Sequence, residues 1–179
     1  SKFKNKTFIS GSNIENLSFV IRLAKIFKVK KNNLIKAVRN FKGLMYRQQI
    51  IFKNKNLLII NDSKSTSYSS SIEILKEKKN IYWLVGGIPK KGDKFNLPMK
   101  NCKNIKGYIF GRNQKKFSSD LKNKIRVKKF LNLRKAWSTL IQDIYNDNTK
   151  KKTILLLFSM QDMGERIQET EVMVTTKKK

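Results

Sequence analysis

Histidine is absent from the 179 residues, and cysteine occurs once, at Cys102. These two shortages remove histidine general bases, Ser-His-Asp and Cys-His nucleophiles and every Cys/His zinc site from the chain. A lone thiol forms no internal disulfide, which fits a reducing compartment such as the cytoplasm. Long apolar runs are missing too: none approaches the roughly 20 residues that cross a bilayer, so the chain reads as soluble with no membrane partner. The basic start Ser1–Thr7 is followed by too few apolar residues for a signal peptide, and with no initiating Met the chain reads as a piece of a longer protein.

Acidic residues are scarce, 12 Asp+Glu against 41 Lys+Arg, for a net charge of +29. Such a charge points to a polyanionic partner when it is gathered on one helix or arm. Here the lysines are spread through nearly every segment among many Asn, Ile and Phe, a mixture that AT-rich coding supplies equally well. Nucleic acid is therefore not an obligate partner, and a basic module binding nucleic acid or another polyanion stands as the alternative reading. The 39% hydrophobic content suffices for a packed core.

The apolar pattern falls into alternating elements. Residues Asn13 to Phe27 carry Ile14, Leu17, Ile21, Ala24 and Phe27 at helical spacing, with Phe19, Val20, Leu23 and Ile26 widening the stripe. This predicts a well-buried helix capped by Ser12 or Asn13. A second helix after Lys30–Asn32 presents Leu34, Ile35, Val38 and Phe41, and Lys42-Gly43 breaks the pattern. Strands follow at 48–52 and 56–60 around a polar Lys53-Asn54-Lys55 turn, a hairpin. Beyond it come a helix near 70–78, a strand at 81–85, a linker holding both prolines (Pro89, Pro98) and a strand at 107–110. A helix at 114–121, a strand at 125–130, a helix at 133–145 and a strand at 153–158 complete the order. Strands alternating with helices imply an α/β fold with a mostly parallel sheet and helices on both faces. Ligands bind such sheets at the carboxyl ends of the strands, where three loops lie: 61–67, 86–94 and Gly111-Arg112.

The run Leu57-Leu-Ile-Ile-Asn-Asp-Ser-Lys-Ser-Thr-Ser67 concentrates the chemistry. A buried strand opens into a loop offering a carboxylate (Asp62), an ammonium (Lys64) and several hydroxyls just before a helix N-terminus, which favours anions. Capping of that helix by Asp62 and the serines is the structural alternative. Gly87-Ile-Pro-Lys-Lys-Gly92-Asp93 has the glycine spacing of a phosphate loop without its Lys-Ser/Thr ending. Gly86-Gly87 serves either a tight turn or a close ligand approach. Lys90, on the same sheet edge as Lys64, makes a two-lysine pocket for a carboxylate or phosphate.

Asn61-Asp-Ser-Lys-Ser-Thr66, with Phe41-Lys-Gly-Leu-Met-Tyr-Arg47 before it and Gly86-Gly-Ile-Pro-Lys90 after it, resembles the C-terminal domain of the Mur ligases over residues 10–158. The resemblance implies a Rossmann-like domain at 41–158, preceded at 1–40 by the helical end of the family's central ATPase domain. It implies an ATP-dependent ligase of cytoplasmic peptidoglycan-precursor synthesis, a process tied to cell shape and division. Its nearest members add D-glutamate to UDP-N-acetylmuramoyl-L-alanine through an acyl phosphate; a related Mur or folylpolyglutamate-type ligase with another amino acid is the alternative within the family. By similarity Asn13 and Asn16 touch adenine, Arg47 the nucleotide phosphates and Asp62 the ribose hydroxyls. Lys64, Thr66 and Lys90 hold D-glutamate. No catalytic residue is assigned. ATP and Mg2+ are the implied cofactors, with the metal ligands expected outside this chain, and the complete enzyme is expected to be a monomer.

The departures are as informative. The family's Gly-x-His-Asn stands here as Ser10-Gly11-Ser12-Asn13, and Tyr46 replaces the histidine before the arginine. The Ser-Pro-Ala segment expected from Ser159 is replaced by 159–176, which lacks Lys and Asn and holds three of the five Met and four acidic residues. Residues 159–179 read as shifted-frame or appended sequence rather than a domain tail and receive no fold. With no complete phosphate loop, the chain alone is expected to be inactive.

Overall fold

The computed structural model describes residue 5, residues 11–65 and residues 67–157, and the chain divides into two compact units, Ser1–Met45 and Tyr46–Lys179. Thr66 and the expectations placed on 158–179 lie outside the described residues.

The first unit holds two helices, α1 (Gly11–Ile26) and α2 (Lys31–Asn40). Ser12 and Asn13, expected as caps, lie inside the first turn of α1, which begins at Gly11. α1 ends on Lys28 in the left-handed region (φ 53°), with Val29 N–H donating to Ala24 O at 2.8 Å. The open carbonyls ending α2 are met from a distance: Asn5 Nδ2 donates to Val38 O (2.6 Å) and Phe41 O (2.7 Å).

The well-buried α1 of the sequence reading is not observed. Ile14, Phe19, Val20, Leu23 and Ile26 are all at least half exposed, and among the described side chains of this unit Val38 alone is buried. An apolar stripe this wide needs partners on more than one side, and the described residues of the unit supply two helices.

The second unit is a six-stranded sheet in the order β1-β2-β6-β3-β4-β5. β1 (Gln49–Lys53) and β2 (Leu57–Asn61) form the expected antiparallel hairpin, with Asn54 Oδ1 accepting from the Asn56 and Leu57 amides in the turn. The remaining pairs, among β2, β3 (Ile81–Val85), β4 (Ile105–Phe110), β5 (Arg126–Phe130) and β6 (Lys152–Leu157), are parallel.

Two cores form because every central strand alternates its side chains between faces. Ile81, Trp83 and Val85 join Tyr68, Ile74 and Leu75 of α3 (Tyr68–Glu77), Cys102 of α4 (Met99–Cys102) and Phe117 and Leu121 of α5 (Gln114–Leu121). Tyr82 and Leu84 point the other way, against Leu133, Ala136, Trp137 and Leu140 of α6 (Leu133–Tyr145). The α/β class, mostly parallel sheet and two covered faces are thus as expected. α4 is an addition: four residues after Pro98 are too few to show a helical period, though proline pre-sets the entry to a first turn. No helix of the described residues is long and apolar enough to cross a membrane.

Candidate functional site

The site is built on the carboxyl end of the sheet, where β6 separates β2 from β3 and holds the loops that follow them. Asp62 N–H donates to Leu156 O (2.9 Å) and Gly86 N–H to Leu157 O (3.0 Å), so two adjacent carbonyls of β6 set both loops.

In the loop after β2, Asn61 Oδ1 accepts from Ser63 N–H (3.1 Å), and Ser65 N–H closes a turn onto Asp62 O (2.9 Å). Lys64 is left exposed at the apex, while Asp62 is 1% exposed. Asp62 Oδ1 accepts from Gln48 N–H (3.1 Å), and Lys64 N–H donates to Tyr46 O (3.0 Å). The loop thereby grips the residues on both sides of Arg47. Tyr46 (φ 63°) and Gln48 (φ 47°) both lie in the left-handed region, a conformation that costs a side-chain-bearing residue about 1 kcal/mol or more unless the surroundings enforce it. Arg47 between them is exposed.

Burial pushes the Asp62 carboxyl up to about 6, against the opposing pull of the Ser65 hydroxyl, the Gln48 amide, the Arg47 charge and Ser71. Asp62 Oδ2, Ser63 Oγ and Ser71 Oγ are buried without a hydrogen-bond partner among the described residues.

The loop after β3 starts at Gly86, where a Cβ would lie 2.6 and 2.7 Å from Cε1 and Cε2 of the Phe110 ring. Gly86 is therefore required by packing. Gly87 takes φ 89°, and its carbonyl accepts from Asn113 Nδ2 (2.8 Å), tying in the third loop. Asp93 N–H returns to Lys90 O (3.2 Å) across Gly92 at φ 77°. No helix opens at Gly92, since the next one is α4, so the phosphate-loop spacing does not become a phosphate loop.

The Asp93 carboxylate accepts the backbone N–H of Tyr68, the first residue of α3. Neither Asp62 nor Ser67 fills that role, and Ser67 instead exchanges hydrogen bonds with Ser69 and Ser70. The helix N-terminus that the sequence reading offered to a ligand anion is thus met by the chain's own carboxylate.

Lys90, Ser65, Ser67, Tyr68, Asp93 and Phe117 line a cavity of only about 10 Å³, about the room one water molecule needs. Lys64 is not among its lining residues, so the two-lysine pocket takes the form of one lysine at a shallow cavity and another exposed on the loop beside it. Asn13 and Asn16 lie one turn apart on α1, in the first unit. Arg47, Asp62, Lys64 and Lys90 belong to the second.

Sequence reasoning passed over Asp93 and Asn113, whose partners are 25 and 26 residues away. It also passed over a second cluster at the amino ends of the strands. There Asp143, in the last turn of α6, and Asp147, just beyond its end, border a groove of about 590 Å³ with Lys106, Tyr108 and Lys128. Their spacing of four was the available signal.

No family model matches the chain. It is 32% identical over 146 residues to the UDP-N-acetylmuramoylalanine–D-glutamate ligase of Wolbachia sp. subsp. Brugia malayi, a match spanning 82% of the chain and 29% of that protein. With the enzyme of the same name from Rickettsia felis it shares 33% identity over 152 residues, 85% of the chain and 34% of the relative. The chain spans about a third of the length of the curated relatives it matches. Among solved structures it resembles MurF from Acinetobacter baumannii (TM-score 0.66, 16% identity, 91% of this chain and 38% of that one). MurF from Thermotoga maritima in complex with ADP (TM-score 0.62, 16% identity, 95% and 40%) shares the same fold.

Proposed function

The chain belongs to the Mur ligase family, and on that footing we propose that it is the amino-acid-receiving part of a ligase joining D-glutamate to UDP-N-acetylmuramoyl-L-alanine. The observation that carries this reading is the 32–33% identity over more than four fifths of the chain to enzymes bearing that name.

In this reaction ATP supplies the phosphoryl group that makes the acceptor carboxylate an acyl phosphate, which the amine of D-glutamate attacks as phosphate leaves. Lys64, Thr66 and Lys90 hold the carboxylates of D-glutamate. Their task is to bring a dianion up to an anionic acyl phosphate, and neutralising and positioning it is most of what such a site contributes. Arg47 meets the nucleotide phosphates, and its exposure between two held residues suits that part. Asn13 and Asn16 contact adenine.

Asp62 accepts from the ribose. Its Oδ2, without a hydrogen-bond partner among the described residues, supports this as an acceptor that a hydroxyl would satisfy. Among the described residues no group of three or more His, Cys, Asp or Glu side chains could hold a metal ion.

The test is ligation by the chain completed with the central and UDP-sugar domains of a relative. Lys64→Ala removes activity by at least about a hundredfold, the loss of a charged contact to a desolvated anion, and near-normal turnover by that variant refutes the assignment. The 179 residues assayed alone give no ATP- and D-glutamate-dependent product, because the sequence holds no Gly-x-x-x-x-Gly-Lys-Ser/Thr.

A further inference from the structure

We infer that Asp93 is the positioning residue for Lys90, clipping the turn that carries it onto the first residue of α3. Three observations lead there. Asp93 and Lys90 close one turn through Asp93 N–H and Lys90 O, so fixing the Asp93 side chain fixes the Lys90 backbone. The Asp93 carboxylate is fixed in turn by the Tyr68 amide.

Tyr68 is itself a rigid post. It is 2% exposed, its ring meets Trp83, Phe95 and Phe117 edge-on at centroid distances of 6.1, 5.7 and 6.0 Å, and its hydroxyl donates to Asp120 (3.2 Å). Asn113 steadies the other end of the loop at Gly87 O. Lys90 is thus an exposed cation on a loop pinned at both ends rather than one waving on a flexible linker, and ordering it in advance lowers the entropic cost of binding an anion. The clip also settles which group meets the ligand. With Asp93 on the α3 amide, an incoming carboxylate is left to the lysines rather than to the helix terminus.

This rests on the reading of Lys90 as a D-glutamate ligand, and the experiment separates the two. Amide exchange and Lys90 side-chain relaxation are followed by NMR in the 179-residue chain, before and during titration with D-glutamate. In Asp93→Ala the Tyr68 amide exchanges at least about tenfold faster, as expected for losing a charge-assisted hydrogen bond, while the Trp83 and Leu155 amides keep their protection. Lys90 becomes more mobile, and about tenfold more D-glutamate is needed to shift its signals. Asp93→Asn, which keeps an acceptor oxygen, restores all three.

Asp93→Ser, too short to span the gap, repeats the loss if Asp93→Ala fails to fold. Unchanged Tyr68 exchange and Lys90 mobility in the Ala or Ser variant overturn the clip, as does an Asn variant as defective as Ala. If the parent chain's Lys90 does not respond to D-glutamate at all, the ligand reading fails, and exchange and mobility still decide the clip.

Discussion

At the amino ends of the strands, two aspartates are each held by a lysine and a tyrosine hydroxyl; at the carboxyl ends, one is buried with an oxygen that has no partner among the described residues. Asp147 accepts from Lys106 (2.8 Å) and from the Tyr82 hydroxyl, and Asp143 from Lys128 (2.6 Å) and the Tyr108 hydroxyl (2.5 Å). The Lys106 and Tyr82 hydrogen bonds hold the Asp147 carboxyl well below the usual range. Burial raises Asp143, but its lysine and tyrosine outweigh it and leave it lowered. These contacts offset the cost of carboxylates at a helix C-terminus and fasten α6 to β4 and β5.

Asp62 shows the reverse: Oδ1 accepts from Gln48 N–H, Oδ2 has no partner at hydrogen-bond geometry among the described residues, and burial pushes the carboxyl up. The same residue type is spent on stability at one end, whereas at the other it is kept in a costly state, as groups that await a ligand often are.

The sharpest way to break the contrast is steric. Gly86→Ala at the carboxyl end drives a methyl into the Phe110 ring and costs about 3 kcal/mol or more. Gly107→Ala, bordering the amino-end groove, meets Ile125 Cδ1 and Val127 Cγ1 at 3.2 Å, side-chain tips that give way for about 1 kcal/mol. Urea midpoints of the pair measure the difference, and equal losses would mean that the two ends are packed alike.

The next test uses pH. With Asp62 near 6 in the fold against 3.8 unfolded, the unfolded chain loses the proton first. Stability therefore rises as pH falls from 7 toward 4, by up to about 3 kcal/mol. Asp62→Asn flattens that rise. Asp143 and Asp147 act with the opposite sign: lowered in the fold, they contribute stability above about pH 4 that is lost as pH falls further. A stability curve without a maximum between these two windows would contradict the pairing.

The smallest effect is that of Tyr82→Phe or Asp147→Asn, about 1 kcal/mol in urea unfolding, because the partly exposed Lys106 finds water instead.

The sequence displayed what is local. The short apolar run Ile81–Val85 ending at Gly86-Gly87, the polar turn at Asn54 and the stripe of 133–145 each predicted their element within a residue or two. It did not display that β6 lies between β2 and β3, because a strand buried on both faces reads the same at any central position.

The α1 stripe was legible as apolar but not as exposed, since periodicity names a face without naming what covers it. At the site, Lys64 and Lys90 stood out by type and by their place after strands. The Asp93 clip did not, because a hydrogen bond joining residues 25 positions apart leaves no periodic trace.

The central place of β6 has a consequence for how the protein is made. In chain order β6 is the last described strand, yet it joins the β1–β2 hairpin to β3, β4 and β5. A ribosome delivering the chain from its N-terminus exposes two separate pieces of sheet, each with an open edge, until residues 152–157 emerge. The loops bearing Asp62 and Lys90 acquire their shared anchor only then, so the candidate site is among the last parts of the domain to take shape.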